Sequence, residues 1–569
     1  MLLRRALSRG GGARRAASAL QAAAAPAAAP EDAAAPSAFG LCGGKISMTS
    51  LGCARNWVDS ELMLGSLLQA GLEPTDDAEE ADVIVVNTCG FLEAARAEGR
   101  GVIDDLGRRK KAGAALIVAG CMVNLNKDRI LADHPLVDGV IGAGAVDKIN
   151  AVVGEVFSRK RREGAFEQVA DLGSARSYLA AGEVPRRTAT PRHFAYLKIA
   201  EGCKKNCGFC IIPAIKGRLR SKPRASVVRE AKALLAAGAR ELVLIAQDLG
   251  DYGKDLADGK ADETKADLAA AGDVSSMVAS KAGGLLAQLL RDVLDGTAKS
   301  PDENESFWIR LLYLYPDEVT PDLVDLIRQS NEAGGAWRGR ILPYVDMPIQ
   351  HVNDDVLRAM RRATTGDTIR GAVHRLKADI PGLALRTSLM VGHPGETEAA
   401  FRDLLDFVGE GLIDHLGVFV YSPEKGSASY RLHAAGEGIV PLDVAETRRD
   451  ALVAAQLQVV RARHDALVGT EMDVVVEAVI DDDDGGRGPQ LVLRGRHAGQ
   501  APDDVDGGVL LSVDVPKRVS RPPQRRGALA PRQRAPELHI EIGGLYRAVI
   551  TGHRDFDLVG RLVEQVPMR

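Results

Sequence analysis

The sequence predicts an α/β protein: an N-terminal parallel-sheet domain, a central β/α barrel and a small C-terminal all-β barrel. Three observations carry this. From Lys45 onward, short apolar β-branched runs alternate with helical segments, the pattern of strands joined by crossover helices. The alternation resumes near His193 with six further runs. After a long helical stretch near Leu442–Leu467 come short strands with no helix between them, as in a small barrel. A chain of 569 residues holds several cores, since one domain takes roughly 150 residues.

Residues 1–40 stand apart. They carry Arg4, Arg5, Arg9, Arg14 and Arg15, many alanines and no acid before Glu31. That composition predicts an organelle transit peptide, hence a plastid or mitochondrial location after its removal. Without that role for the segment, the location is cytoplasmic. The N-terminal α/β domain spans 45–160. It reads strand Ile46–Ser50, helix about Val58–Ala70, strand Asp82–Asn87, helix about Leu92–Gly107 and strand Leu116–Ala119. The central barrel spans 190–440, with strands at Ala195–Ile199, Glu241–Ala246, Trp308–Tyr313, Tyr344–Met347, Leu385–Val391 and Gly417–Tyr421. Six strands suit a partial or a full barrel. The C-terminal barrel spans 468–565, with strands at Met472–Ile480, Leu491–Arg494, Val509–Val513 and Leu545–Thr551. Two segments read as insertions that form mobile loops: about 254–306, rich in Ala, Gly, Asp and Lys, and about 516–536, rich in Pro and Arg.

Composition excludes several classes. Lys plus Arg (73) against Asp plus Glu (77) gives a net charge of −4, which points neither toward nucleic acid nor away from it. No charge-free run of about 18 apolar residues occurs, so no membrane-spanning helix is expected. Seven cysteines in 569 residues exclude a disulfide-stapled secreted scaffold.

Their placement is more telling. Cys203, Cys207 and Cys210 form C-x3-C-x2-C in EGCKKNCGFC, directly after the first strand of the central domain. Three thiolates this close converge on one metal. Zinc needs a fourth ligand, and no Cys or His follows within forty residues. A four-iron, four-sulfur cluster instead tolerates three cysteines and one open iron. A zinc loop closed by a distant ligand is the competing reading. Cys53, Cys89 and Cys121 lie 36 and 32 residues apart, yet SLGC, NTCG and AGCM each follow a strand end. In a parallel sheet those ends share one edge, where ligands bind, so the three thiols should meet. The alternative is three unrelated core residues, since Cys is often buried. Cys42 has no such context and is given no role.

These strings resemble a known family. EGCKKNCGFCIIPAIKGRLRSKP is similar to the cluster loop of radical S-adenosylmethionine enzymes. With SLGCARNWVDSE, NTCGFLEAA and AGCM it resembles their methylthiotransferases, from about Lys45 to the C-terminus. Within that family, IRLLYLYPDEVT, DMPIQHVNDDVLRAMRR and LRTSLMVGHPGETE are closest to the branch that modifies an aspartate of small-subunit ribosomal protein twelve. The resemblance implies a radical S-adenosylmethionine barrel, a TRAM-like C-terminal barrel, two 4Fe-4S clusters and S-adenosylmethionine as cofactors. It implies that Cys203, Cys207 and Cys210 hold the cluster that binds S-adenosylmethionine, and that Cys53, Cys89 and Cys121 hold the cluster that carries the sulfur. Cleavage of S-adenosylmethionine would yield a radical that takes hydrogen from the aspartate β-carbon, after which sulfur and a methyl group are added. The cofactors carry this chemistry, so beyond the cluster ligands no catalytic side chain is expected. Phe209 would lie near the adenine, Gln247 and Asp248 near the amino acid part, and Thr387 near the ribose. The last three are equally ordinary strand-end polar caps. His393 stands where an aromatic residue is expected, and a surface histidine is the plainer reading.

The implied partners are ribosomal protein twelve and an electron donor such as a flavodoxin or ferredoxin. A modified adenosine of tRNA is the alternative substrate, and a zinc or electron-transfer protein without radical chemistry is the alternative of another class. From Glu471 to Asp514 there are eleven acids against Arg487, Arg494 and Arg496. RNA binding needs the opposite sign, whereas a basic protein suits it. The arginine-rich loop 516–536 works against this; it is read as a flexible insertion, with contact to ribosomal RNA as the alternative.

Overall fold

Strands too apolar for a wet face need cover on both sides, and the first sheet shows it. In a computed structural model the described residues are 44–161, 168–173, 186–257, 284–297, 307–332, 337, 339–481, 491–503, 505–513 and 540–567. The segment 1–40, Cys42, loop 516–536 and much of 254–306 lie outside them. The first six strands are β1 (Lys45–Ser50), β2 (Glu73–Pro74), β3 (Val83–Thr88), β4 (Ala115–Gly120), β5 (Gly139–Gly144) and β6 (Val169–Gly173). They form one parallel sheet in the order β2-β1-β3-β4-β5-β6. Every residue of β3, β4 and β5 is buried. Helices α1 (Ala54–Gln69), α2 (Glu93–Arg109), α3 (Cys121–Asp133) and α4 (Ile149–Lys160) provide the cover, with α1 and α4 on one face and α2 and α3 on the other.

The second sheet is open. It contains β7 (Phe194–Lys198), β10 (Glu241–Ile245), β11 (Trp308–Leu311), β12 (Ile341–Asp346), β13 (Ala384–Val391) and β14 (His415–Val420), and the two-residue pair β8 (Ala200–Glu201) and β9 (Arg220–Ser221) lies beside it. Its six strands are parallel and neighbour one another in chain order, so the barrel is partial. Helices α5 (Ile212–Lys216), α6 (Arg224–Ala236), α7 (Leu285–Thr297), α8 (Pro321–Asn331), α9 (Gly366–Asp379), α10 (Glu398–Gly409) and α11 (Leu442–Leu467) follow in the chain. Thr320 and Thr397 start α8 and α10 by accepting the N–H of Leu323 and Ala400, as N-caps do.

One expectation is corrected here. The segment 254–306 is not loop throughout, because α7 lies inside it. Leu286, Leu289, Leu290, Val293 and Leu294 recur at helical spacing and are buried in the main core of the second domain. The neighbouring low-complexity sequence hides this pattern.

The last five strands are β15 (Glu471–Asp481), β16 (Leu491–His497), β17 (Val509–Ser512), β18 (Leu545–Arg554) and β19 (Asp557–Gln565), closed as β15-β16-β17-β19-β18. This barrel docks on the inner face of the open sheet, where Phe194, Val243, Trp308 and Tyr344 meet Val475, Ala501 and Leu545. Polar bonds fasten it: Arg496 to Glu241 at 2.5 Å, Arg310 Nη1 to Ala498 O at 2.9 Å, and Tyr344 OH to Asp506 at 2.6 Å. No helix is long and apolar enough to cross a membrane among the described residues.

Candidate functional site

Strands β1, β3 and β4 are neighbours, and a cysteine follows the C-terminal end of each. Cys53 is the N-cap of α1, Cys89 comes directly after β3, and Cys121 opens α3. The loops touch: a Cβ at Gly52 would lie 3.3 Å from Cys89 Sγ, and one at Gly90 would lie 2.8 Å from the Cys121 carbonyl carbon. Gly120 allows the sharp exit from β4. Its φ is +95°, and a Cβ there would sit 2.2 Å from Asn87 Oδ1, so only glycine fits. Asn56 Oδ1 lies 3.4 Å from Cys121 Sγ, and its amide donates to Thr88 O at 2.9 Å.

The second triad sits on one loop. Gly202 turns it with φ +73°, where a Cβ would meet Arg218 O at 2.3 Å. Lys205 N and Ile212 N each lie 3.4 Å from a cysteine sulfur, Cys203 and Cys210 respectively. Gly208 donates to Met360 O at 2.6 Å and accepts from Ser429 N at 2.7 Å. Tyr315 OH is 3.5 Å from Cys207 Sγ, with the Arg362 guanidinium 3.9 Å from its ring centre.

The segments that carry the two triads meet across a domain boundary. Cys121 packs with Ile211 and Ile215 of the second loop and with Phe91 and Leu125. Asn124 Nδ2 donates to Ile215 O at 2.9 Å. Arg55 reaches from α1 to Ala246 O at 2.6 Å, lying 4.7 Å from the Tyr313 ring centre. Beneath this contact lies a buried ion cluster. Lys198 bonds Asp59 and, at 2.8 Å, Glu201; Lys216 lies 3.2 Å from Asp59 and 3.4 Å from Glu201. All four side chains are at most 3% exposed. Buried charges survive only when paired in this way. The cluster ties α1, behind Cys53, to the strand and helix on either side of the second cysteine loop.

The donor chemistry fits a cationic metal centre. Burial pushes the Cys121 and Cys210 thiols up to about 12 and Cys203 to about 11, and raises Cys89. Burial acts the same way on Cys53, but the Arg55 guanidinium and the Asn56 N–H outweigh it and leave that thiol lowered. Thiols held protonated by burial lose the proton when a metal replaces it. Three sulfurs per set leave one position of a cubane open.

The remaining sequence candidates are scattered around the second loop. Phe209 packs against the cluster of Val356, Met360 and Ala400. Gln247 Nε2 donates to Glu201 at 2.9 Å, while its Oε1 and Asp248 Oδ2 are buried without a hydrogen-bond partner. Burial, with Asp251 alongside, pushes Asp248 up to about 7. Asp248, Asp251 and Glu318 bring carboxylate oxygens within 4.8 Å of one another, but Lys205 and Lys254 already sit among them. Thr387 is fully buried, and its hydroxyl donates to Met347 O at 2.7 Å and accepts from Ile349 N at 3.2 Å. One expectation is corrected. His393 is not a surface residue: it is fully buried with Nε2 2.7 Å from Ser429 Oγ. Sequence reasoning missed Arg55, Asp59, Lys198, Glu201 and Lys216. The signal available was Arg55 and Asp59 at helical spacing behind Cys53.

Comparison with known proteins agrees with this geometry. Residues 45–142 match the Uncharacterized protein family UPF0004, and residues 197–408 match the Radical SAM superfamily. The chain is 40% identical over 521 residues to the Ribosomal protein uS12 methylthiotransferase RimO of Protochlamydia amoebophila (strain UWE25), covering 92% of this chain and 93% of that one. It is 41% identical to the protein of the same description from Chlamydia abortus (strain DSM 27085 / S26/3), covering 92% and 96%. Among solved structures, the radical S-adenosylmethionine methyltransferase TsrM from Kitasatospora setae aligns with TM-score 0.46 at 15% identity, over 67% of this chain and 72% of that one. On the strength of the first two relatives, the chain belongs to the RimO family of radical S-adenosylmethionine methylthiotransferases.

Proposed function

We propose that the chain adds a methylthio group to the β-carbon of an aspartate in small-subunit ribosomal protein uS12. The observation that carries this is the contact, across one domain boundary, of the segments that bear two three-thiol sets, in a chain whose relatives bear that activity in their names. Cys203, Cys207 and Cys210 would hold one 4Fe-4S cluster, and Cys53, Cys89 and Cys121 the other. Bound there, the first group supplies reductive cleavage of S-adenosylmethionine and the second supplies sulfur. The protein's own part is placement. The Asp59–Lys198–Glu201–Lys216 cluster fixes one cysteine loop against the other. Ile211, Ile215, Phe91 and Leu125 keep water from the gap. Gln247 offers an unpartnered buried oxygen for the amino acid part of S-adenosylmethionine, with Asp248 beside it and 3.6 Å from Lys205, and Phe209 offers a ring for the adenine.

The substrate reading favours protein over tRNA because the named relatives match across nearly the whole chain. The electrons come from an external donor of the flavodoxin or ferredoxin class. Loop 516–536, with seven Lys or Arg and no acid, is the place for RNA contact on the ribosome. The arginine-rich segment 1–40 is a transit peptide for a plastid or mitochondrion; its fusion to a fluorescent protein tests this, and a diffuse cytosolic signal contradicts it. The substrate itself is tested by mass spectrometry of uS12 and tRNA from cells lacking the gene. Loss of the modification on uS12 is expected. Loss of the tRNA modification alone reverses the reading.

A further inference from the structure

The open sheet has two edges, and they differ. Along β7, Arg186 Nη2 donates to Tyr196 O at 2.7 Å, and Lys198 is bonded to Asp59 of α1. That edge is covered. Strand β14 pairs with β13 on one side only. Asp414 N donates to Leu385 O at 2.9 Å. In parallel pairing alternate residues bond to opposite sides, and past the strand Tyr421 N donates to Val391 O at 2.8 Å, so His415, Gly417 and Phe419 form the ladder with β13. Leu416 and Val418 then turn their N–H and C=O outward. Among the described residues nothing bonds the outward N–H of Leu416 or Val418.

An edge of this kind is normally blunted by lysine, proline or a bulge. The sequence HLGVFV has none of these. Phe419 is 49% exposed. Gly417 lets the Phe419 ring lie close against the strand, since the ring and Ser388 Oγ are 3.3 and 3.7 Å from where a Cβ would be. Just past the strand, Ile439, Leu442 and Val444 are exposed. They belong to the segment 437–446, which carries Glu437, Asp443 and Glu446 and no Lys or Arg. The start of α11 is anchored there, since a Cβ at Gly392 would meet Ala445 at 2.6 Å and Val420 at 4.0 Å. The edge also leads into the site. Glu424 bonds Arg96 at 2.5 Å and accepts the N–H of Glu93, four residues after Cys89. Ser429 N donates to Gly208 O, between Cys207 and Cys210.

We propose that β14 is the docking edge for the protein substrate. An extended stretch beside the target aspartate adds as a seventh strand, its apolar side chains on Phe419 and its Lys or Arg side chains facing Glu437 and Asp443, since Glu446 is paired with Arg449 at 3.8 Å. Backbone pairing supplies the affinity and the alternating side chains the selectivity, as in other strand additions. This rests on the protein-substrate reading.

Two measurements on the reconstituted full chain test it. Val418→Pro removes an outward N–H without touching the β13 ladder, and Val418→Ala keeps it. The proline variant should raise KM for uS12 at least tenfold, and the alanine variant less, with iron content at the wild-type level. A KM within twofold of wild type in the proline variant overturns the proposal. A backbone N-methyl scan of a peptide spanning the aspartate, read as inhibition of uS12 turnover by the wild type, should lose potency at every second residue. No inhibition, or loss without that period, overturns it, and this arm decides alone if the proline variant fails to fold. A concentration-dependent dimer abolished by Val418→Pro makes a second copy the occupant and also overturns it. A wild-type chain that leaves uS12 unmodified overturns the substrate reading itself, and this inference with it.

Discussion

Each cysteine triad draws its character from what surrounds its sulfurs. Cys203 and Cys210 receive backbone N–H groups and little positive charge, whereas Cys53 has Arg55 beside it. A division of labour follows. Cys207→Ala should abolish 5′-deoxyadenosine formation, and Cys89→Ala should spare it in part while abolishing methylthiolation. Each should cut reconstituted iron from about eight to about four per chain. Equal loss of cleavage in both variants contradicts the division. In the ion cluster, Lys198→Met strands Asp59 and Glu201 against one remaining cation. It should cost about 3–5 kcal/mol in urea unfolding, whereas a change below about 1 kcal/mol means the cluster is wetter than its burial implies. The six cysteines were legible in the sequence because each stands at a strand end or in a tight C-x3-C-x2-C string. Lys198 and Lys216 were not, because their meaning lies in burial, and in one sequence a buried lysine looks like any other.

Strands and helices with clear periodicity were legible too. The six strands of the open sheet and the long α11 fall where their patterns place them, within a few residues. Strand β5 escaped because GVIGAG has half its positions in glycine, which weakens any strand signal. Helix α7 escaped because its own strong pattern is embedded in Ala, Gly and Asp. Its weight is testable: Leu290 is fully buried, so Leu290→Ala should cost about 2–5 kcal/mol. A neutral result would return the segment to the status of an insertion. At the end of β4, Gly120→Ala forces both a left-handed backbone and a clash with Asn87. Iron at the first triad should then fall toward half of the total while cleavage of S-adenosylmethionine persists. Full iron in that variant contradicts the role given to the turn.

At the scale of the molecule, the C-terminal barrel is fastened by charge as much as by apolar contact, and this changes how its acids are read. Of the eleven counted in the sequence, Glu477, Asp503 and Asp506 turn inward to His193, Tyr196, Tyr344 and Arg386, and Glu471 and Asp473 pair with Arg547. The other six lie outside the residues whose side chains are described. A charge count therefore overstates the barrel's free acidity, because sequence does not separate a fastening carboxylate from a solvated one. Acid should loosen the structure in two stages. Burial lowers His497 to about 3 and His393 to about 4. The unfolded chain takes up these protons near pH 6.5 and the folded chain does not, so stability falls as pH drops below that value. Burial pushes Glu477 up, but Arg496 and His193 outweigh it and hold the carboxyl at about 2. Its contribution is present above pH 4.5 and lost between 4.5 and 2. A Tm that stays flat from pH 7 to 5 contradicts the first stage. The central claim, that two neighbouring thiol triads serve protein methylthiolation, is tested most directly on purified components. The anaerobically reconstituted chain is incubated with uS12, S-adenosylmethionine and a reductant, and uS12 is analysed by tandem mass spectrometry. A gain of one CH2S on a single aspartate, absent with Cys89→Ala and with Cys207→Ala, is the predicted result; unmodified uS12 beside a methylthiolated tRNA adenosine would contradict it.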